Sequence, residues 1–153
     1  MNKVVVFQLG NEQYAIPIEQ VVSIEKMAAP TVIPQMPDYM LGVVRIRGEL
    51  VPVLDMVKIL YRHSYIQTEK TRLIVVQTED LVVAFIADDA KEILDIPSEA
   101  IKKLNMLAYR QTPYFLGVAN LPERLITLID ANRLFESLEG MQVIKERIKE
   151  NQS

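Results

Sequence analysis

The sequence predicts a mainly-β chain folded as two small barrel-like lobes, with short helices and a helix at the C-terminal end. Three observations predict it. Short runs of Val, Ile, Leu and aromatic residues alternate with turn residues, the pattern of hairpins rather than of long helices. Residues 39–60 recur, in outline, as residues 114–135. Met141, Ile144 and Ile148 stand at i, i+3 and i+7, one apolar stripe of a terminal helix.

The strands follow in order. Residues 4–9 read as a strand, Gly10-Asn11-Glu12 as the turn and residues 13–18 as its return. Val21, Val22 and Ile24 fit a short helix or a bent strand equally well at this length. Pro30, Pro34 and Pro37 keep the next stretch extended. Residues 41–46 and 50–54 make a hairpin around Arg47-Gly48-Glu49. Asp55 then caps a short helix through Tyr61, and residues 63–71 form a polar loop. In the second half, residues 73–77 and 81–87 flank a turn at Thr78-Glu79-Asp80. Ser98 suits the N-cap of a helix over 99–104. Residues 116–121 and 125–129 form the last hairpin, Asp130 opens a helix through Leu138, and Gly140 suits its stop.

The repeat is more than shared hydrophobicity. Tyr39/Tyr114, Leu41/Leu116, Gly42/Gly117, Val43/Val118, Leu50/Leu125 and Asp55/Asp130 are identical pairs in one register. A fainter register pairs Gln8/Gln77, Ala15/Ala84 and Ile24/Ile93. Each half therefore reads hairpin, crossing segment, second hairpin, Asp, helix. Short alternating strands of this kind close into small barrels, which hide their edges. Two lobes also leave a crevice, a favoured place for binding.

Composition narrows the function. The chain has 153 residues, half of them hydrophobic and 24% charged, an ordinary globular balance. A net charge of −3 supplies no basic face for nucleic acid or anionic lipid. The lack of cysteine excludes disulfides, thiolate metal sites and cysteine nucleophiles, and suits the cytoplasm. No apolar run nears the roughly 20 residues that span a bilayer. Val4-Val5-Val6-Phe7 is too short for a signal peptide.

No catalytic constellation is visible. His63 is the single histidine and lies in the polar loop. The five glycines form no phosphate-binding motif. Asp88 and Asp89 are neighbours, which a strand would point to opposite faces. Asp55 and Asp130 are explained as helix caps. Arg45-Ile46-Arg47-Gly48 stands out. Strand alternation puts both arginines on one face, where a guanidinium fork could grip a partner's carboxylate or carbonyls. The second half has Asn120-Leu121-Pro122-Glu123 instead. The scaffold repeats and its decoration does not, as a binding function grafted on one lobe would leave it.

The same residues carry a family resemblance. Gly42-Val43-Val44-Arg45-Ile46-Arg47-Gly48, continuing to Pro52-Val53-Leu54-Asp55, resembles the glycine, aliphatic, Asn-Leu-Arg-Gly and Pro-Val-aliphatic-Asp pattern of CheW-like proteins. Val5 through Ile18 resembles their first hairpin, Val83 through Leu94 their middle section, and Gly117 through Asp130 their last hairpin. The resemblance covers about residues 3–138. It implies two SH3-like five-stranded barrels with short helices and a C-terminal helix. One CheW-like domain of two intertwined lobes would then fill residues 1–153, with residues 139–153 as a helical tail.

The resemblance further implies a non-catalytic, cytoplasmic adaptor without cofactor or metal, recruited to receptor arrays at the membrane. Its partners would be a CheA-type histidine kinase and the helical-hairpin tip of a chemoreceptor, the latter seated between the lobes. The partner-binding residues expected are Val21, Val22, Gly42, Arg45, Arg47, Asp88, Ala90 and Ile93. Arg45 replaces the family's asparagine, Ser23 an acidic residue, Ala87 and Ala90 valines, and Ala84 a glycine. Those departures admit an alternative: a CheW-like adaptor of another chemosensory pathway, such as surface motility or development. One stability expectation follows from the strand pattern. Val53→Ala should cost about 1–3 kcal/mol through lost burial and a cavity, and an unchanged denaturation midpoint would place Val53 at the surface.

Overall fold

A computed structural model describes residues 2–103 and 112–152. The alternating runs become β1 (Asn2–Leu9), β2 (Glu12–Pro17), β3 (Val21–Lys26), β4 (Met40–Ile46), β5 (Glu49–Leu54), β6 (Arg72–Gln77), β7 (Val82–Ala87), β8 (Asp89–Ile96), β9 (Ile101–Lys102), β10 (Phe115–Leu121) and β11 (Arg124–Ile129). The helices are α1 (Met56–Tyr61), α2 (Ala131–Ser137) and α3 (Met141–Gln152). One sheet runs β8-β1-β2-β11-β10-β9 and the other β3-β6-β7-β5-β4. The fold is mainly β, as the sequence predicts, with two sheets and, among the described residues, three α-helices. The extra strand of the six-stranded sheet is the two-residue β9. Its counterpart in the five-stranded sheet is a lone bridge from Thr31 to Val43.

The chain changes sheets twice. β1 and β2 lie in the first sheet, β3 to β7 in the second, and β8 to β11 return to the first. Each sheet therefore holds the opening hairpin of one half and the later strands of the other. The ladders are copies of each other. β1 pairs β8 as Val6↔Glu92, then slips to Phe7↔Ala90. β6 pairs β3 as Val75↔Ser23, then slips to Val76↔Val21. The parallel contacts also correspond, Val53↔Ala84 in one sheet and Leu128↔Ala15 in the other.

The identical residues of the repeat mark where this geometry is enforced. Gly42 and Gly117 sit at matching bulges, between Met40/Gly42 and between Phe115/Gly117. A Cβ on Gly42 would lie 2.3 Å from the Thr31 carbonyl oxygen, and one on Gly117 2.7 Å from that of Lys102. Asp55 and Asp130 cap α1 and α2, accepting from the N–H of Lys58 and Arg133 at 3.1 Å. Their own N–H groups donate to Tyr39 and Tyr114 carbonyls at 2.7 and 2.8 Å. Asp55 is almost fully buried and also accepts from the Tyr65 N–H, so capping is the work of its carboxylate.

Packing divides into three clusters. Val4, Val6, Ala15, Ala119 and Ile126 fill the inside of one sheet. Val44, Val51, Val53, Leu73 and Val75 fill the other. Each sheet packs on strands of its own, so each must curl, as in a small barrel. The largest cluster lies where the sheets meet. It joins Phe7, Ile16, Leu54 and Phe85 to Phe135 of α2 and to Met141, Ile144 and Ile148 of α3. The predicted stripe thus packs on the molecule's own core, beside β5.

Two segments that local pattern leaves open are strands, and two helices differ from expectation. The undecided segment at Val21–Lys26 is a strand, drawn into register by β6. The polar-looking Asp89–Ile96 is also a strand, held by β1. The helix expected over 99–104 is replaced by a single 3-10 turn, Ser98–Ala100, without a side-chain cap. Ile101 is captured by pairing with Ala119 instead, and residue 104 lies outside the described residues. α2 ends at Ser137 with Leu138 as its C-cap. Gly140, at φ +88°, makes the bend into α3 against Pro37.

Tyr39 ties that bend down. Its buried hydroxyl donates to the Glu139 carbonyl at 2.8 Å. Burial, aided by the Asp38 and Glu139 charges, pushes its pKa up to about 12. The folded phenol holds its proton more tightly than the unfolded one, so this stabilisation is complete below about pH 10 and is lost as the pH rises toward 12. Tyr39→Phe should cost about 0.5–1.5 kcal/mol at neutral pH and remove part of the alkaline loss. Denaturant unfolding at both pH values reads this, and an unchanged alkaline slope would refute the assignment.

Candidate functional site

The predicted binding residues occupy three places, set by the fold. The first is the pair of crossing strands. Val21 and Val22 lie on β3, Ala90 and Ile93 on β8. Both strands end their sheets, so each has one unladdered edge. β8 also touches β6, the partner of β3, which brings the two strands to one seam. Val22 is 41% exposed and Ile93 60%. Val21 is half-buried and packs on the shared core, and Ala90 is half-buried. Ile24, the repeat partner of Ile93, is 42% exposed on the same strand as Val22, and the fainter repeat register is the sequence signal that points to it. Ser23 lies between Val22 and Ile24, its hydroxyl buried without a hydrogen-bond partner, a costly arrangement in a finished interior.

The second place is the β4–β5 turn, on the opposite edge of the second sheet from β3. Arg47 and Gly48 have φ of +52° and +83°, and Ile46 pairs with Glu49 around them. Both central residues at positive φ make a type I′ hairpin turn. Arg47 thus stands in the turn, as the hairpin pattern predicts, while Glu49 belongs to β5; the expectation that Arg45 and Arg47 share one strand face is corrected, since only Arg45 is on the strand. Both are exposed. Arg45 donates from Nη1 to the Gly48 carbonyl at 3.3 Å, so it braces the turn from which Arg47 projects. Gly42 is buried on β4, and the absence of a side chain lets the Thr31 backbone approach it. Its place is a packing position rather than surface.

The third place contains Asp88, where the chain crosses from β7 to β8. Its carboxylate accepts from the Gly10 N–H at 2.6 Å, and its own N–H donates to the Gln8 carbonyl at 2.9 Å. Asp88 therefore pins the β1–β2 turn to the crossing. It borders a groove of about 670 Å³ between that turn and α1, with Leu9, Val57, Tyr61 and Ile66 along the walls. Most of the space between the lobes is filled by the shared core; this groove is an opening that is left. Tyr61 stacks on His63 at 6.2 Å and its hydroxyl hydrogen-bonds that of Tyr14. Burial, and then the Tyr61 bond, raise the Tyr14 pKa above the usual phenol range, so Tyr14 keeps its proton at physiological pH. Tyr61 and Ile66 carried no sequence signal because neither belongs to a repeated or periodic pattern.

Among the described residues no group of three or more His, Cys, Asp or Glu gathers as a metal site, and no helix is long and apolar enough to cross a membrane. The Asp55 and Asp130 carboxylates hold backbone N–H groups.

Two curled sheets that exchange hairpins and meet on a common core define a two-lobed β-barrel module. The chain belongs to the CheW-like domain family, whose model matches residues 3–139. It is 30% identical over 146 residues to chemotaxis protein CheW of Bacillus subtilis (strain 168), covering 95% of this chain and 94% of that one. Protein FrzA of Myxococcus xanthus is 27% identical over 141 residues, covering 91% and 88%. The crystal structure of scaffolding protein TtCheW from Thermoanaerobacter tengcongensis superposes with a TM-score of 0.79 at 27% identity, covering 91% of this chain and 90% of that one.

The turn geometry makes a prediction about stability alone. A non-glycine residue in the left-handed region is strained by about 1–2 kcal/mol, and glycine relieves this at a smaller entropic cost. Arg47→Gly should therefore stabilise the fold by about 0.5–1 kcal/mol in chemical denaturation. A clear loss would show that the arginine side chain holds the turn.

Proposed function

We propose that this chain is a cytoplasmic, non-catalytic adaptor that couples chemoreceptors to a CheA-type histidine kinase. The observation that carries the reading is the end-to-end match to a chemotaxis CheW, which covers 95% of this chain and so takes in both lobes and the crossings between them. The scaffolding role named for the TtCheW neighbour supports it. So do the exposed aliphatics on β3 and β8, which suit the apolar face of a receptor helix better than they suit water. The tip of the receptor's helical hairpin sits between the lobes, across the seam of β3 and β8. Arg47 offers a guanidinium fork to a partner's carboxylate or carbonyl groups. Gly42 acts on binding indirectly, by holding β4 in place.

The match to FrzA favours a second reading, an adaptor of the same architecture serving another chemosensory pathway. Ser23, Arg45 and Ala90 stand at the binding strands and the turn, where substitutions change partner choice without touching the core.

Purified protein is expected to bind both a CheA-type kinase and a receptor signalling fragment in calorimetric titrations. Arg47→Ala should weaken binding of a partner while leaving the thermal midpoint nearly unchanged, since an exposed turn residue is rarely core. Failure to bind either partner overturns the coupling role. Binding to neither chemotaxis partner, but to the kinase of a motility pathway, supports the second reading.

A further inference from the structure

β3 and β8 are the same strand of the two halves, so each is a control for the other. Glu92 stands opposite Val6 of β1, and Ser23 stands opposite Val75 of β6. β8 is fastened along its length. Ile96 is fully buried in the core of its sheet, and Leu94 packs against that core. Glu92 meets Arg124 of β11 at 2.5 Å, and Arg124 Nε also donates to the Gln13 side chain at 2.9 Å. Asn2 Nδ2 donates to the Ile96 carbonyl at 3.4 Å and to Ser98 Oγ at 3.2 Å. At the other end of the strand, Asp88 holds the Gly10 N–H.

β3 has its ladder and little else. It is six residues long against eight in β8, and none of the six is buried. The repeat puts Glu25 and Met27 where β8 has Leu94 and Ile96, and Met27 is only half-buried. It puts Ser23 in the place of Glu92 and Glu49 in the place of Arg124, so the ion pair has no counterpart. Among the described residues, Ser23, Glu25 and Lys26 make no side-chain hydrogen bond or ion pair. The Ser23 hydroxyl is buried all the same, and burial of that kind favours the opened strand, where water reaches it. Both flanks are held. Gln20 accepts from the Ala131 N–H at 2.9 Å and donates to Asp130 Oδ1 at 3.2 Å. Thr31 exchanges two backbone hydrogen bonds with Val43, at 2.8 and 2.9 Å.

We propose that residues 21–30 form a releasable strap, tied at Gln20 and Thr31, that lifts from β6 and reseats while the rest of the molecule stays folded. β8 is the fixed side of the same seam. Local opening falls below global unfolding where few apolar side chains are buried, which describes β3 and not β8. The β6 amides that ladder to β7 stay with the core. Opening scatters Val22 and Ile24, and closure returns them to the seam that carries Ile93. A partner that grips these aliphatics therefore selects the closed strap, and the seam is rigid once occupied. That consequence rests on the adaptor reading; the strap itself does not.

Native-state hydrogen exchange on the intact protein, followed residue by residue by NMR across a denaturant series, tests it. The ladder amides of β3 should exchange at least about tenfold faster than those of β8, with a weaker dependence on denaturant, because a local opening exposes little surface. Glu92→Gln should speed β8 about two- to fivefold, as loss of an exposed ion pair does, and leave β3 unchanged. Ser23→Ala removes the buried hydroxyl and should slow β3 about fivefold, with β8 unchanged. The strap is overturned if β3 and β8 exchange at one free energy with one denaturant slope. Adding a receptor signalling fragment should then slow β3 far more than β8. If β3 opens first and the fragment changes neither strand, the strap stands and the placing of the receptor at this seam fails.

Discussion

The contact on which the rest of the structure depends is the aromatic centre shared by the two sheets. Phe7 of β1 meets Phe85 of β7 with ring centroids 5.1 Å apart, and Phe85 meets Phe135 of α2 at 6.4 Å. Aromatic pairs of this kind add about 0.5–1.5 kcal/mol beyond their burial. Position matters more than magnitude here. The clusters inside each sheet are built from small and medium aliphatics, chiefly Val, Ala, Ile and Leu, and are thin. The large side chains are concentrated between the sheets. Because the chain crosses from one sheet to the other and back, neither sheet can be completed without the other half. The fold is a pair of lobes in shape and one unit in construction.

Much of this was legible in the sequence, and the legible parts share a cause. Hairpins declare themselves because alternation and turn residues are local. The repeat declared itself through residues whose geometry admits little substitution: Gly42 and Gly117 where another backbone presses close, Asp55 and Asp130 where a helix begins. What was not legible depends on partners distant in the chain. β8 carries four charged residues in eight without strict alternation and becomes a strand because β1 offers a register. The helix expected after Ser98 gives way because Ile101 finds a partner on β10. Neither the exchange of hairpins between sheets nor the filling of the space between them is written in any local pattern. Arg47 is a subtler case. Its neighbourhood to glycine marks a turn, but the sequence offers a three-residue turn, and only the closing pair Ile46↔Glu49 makes it two residues long and puts Arg47 at positive φ.

Shared construction bears on what such a protein can do. The candidate binding places are dispersed over both sheets: exposed aliphatics on β3 and β8, an arginine turn on β4–β5, and the groove by Asp88. An adaptor transmits geometry between partners only if the parts that touch them do not move independently. The common core supplies that rigidity, and the asymmetric decoration of a symmetric scaffold supplies distinct faces for distinct partners.

Native-state hydrogen exchange tests this unity most directly. Sub-global opening reveals itself as amides that exchange at a lower free energy than the rest. The core amides of β1 and β2 in one sheet and of β6 and β7 in the other should exchange at one common opening free energy, equal to that of global unfolding, and should shift together with denaturant. Exchange of one sheet's core amides while the other stays protected would show two separable lobes and contradict the account.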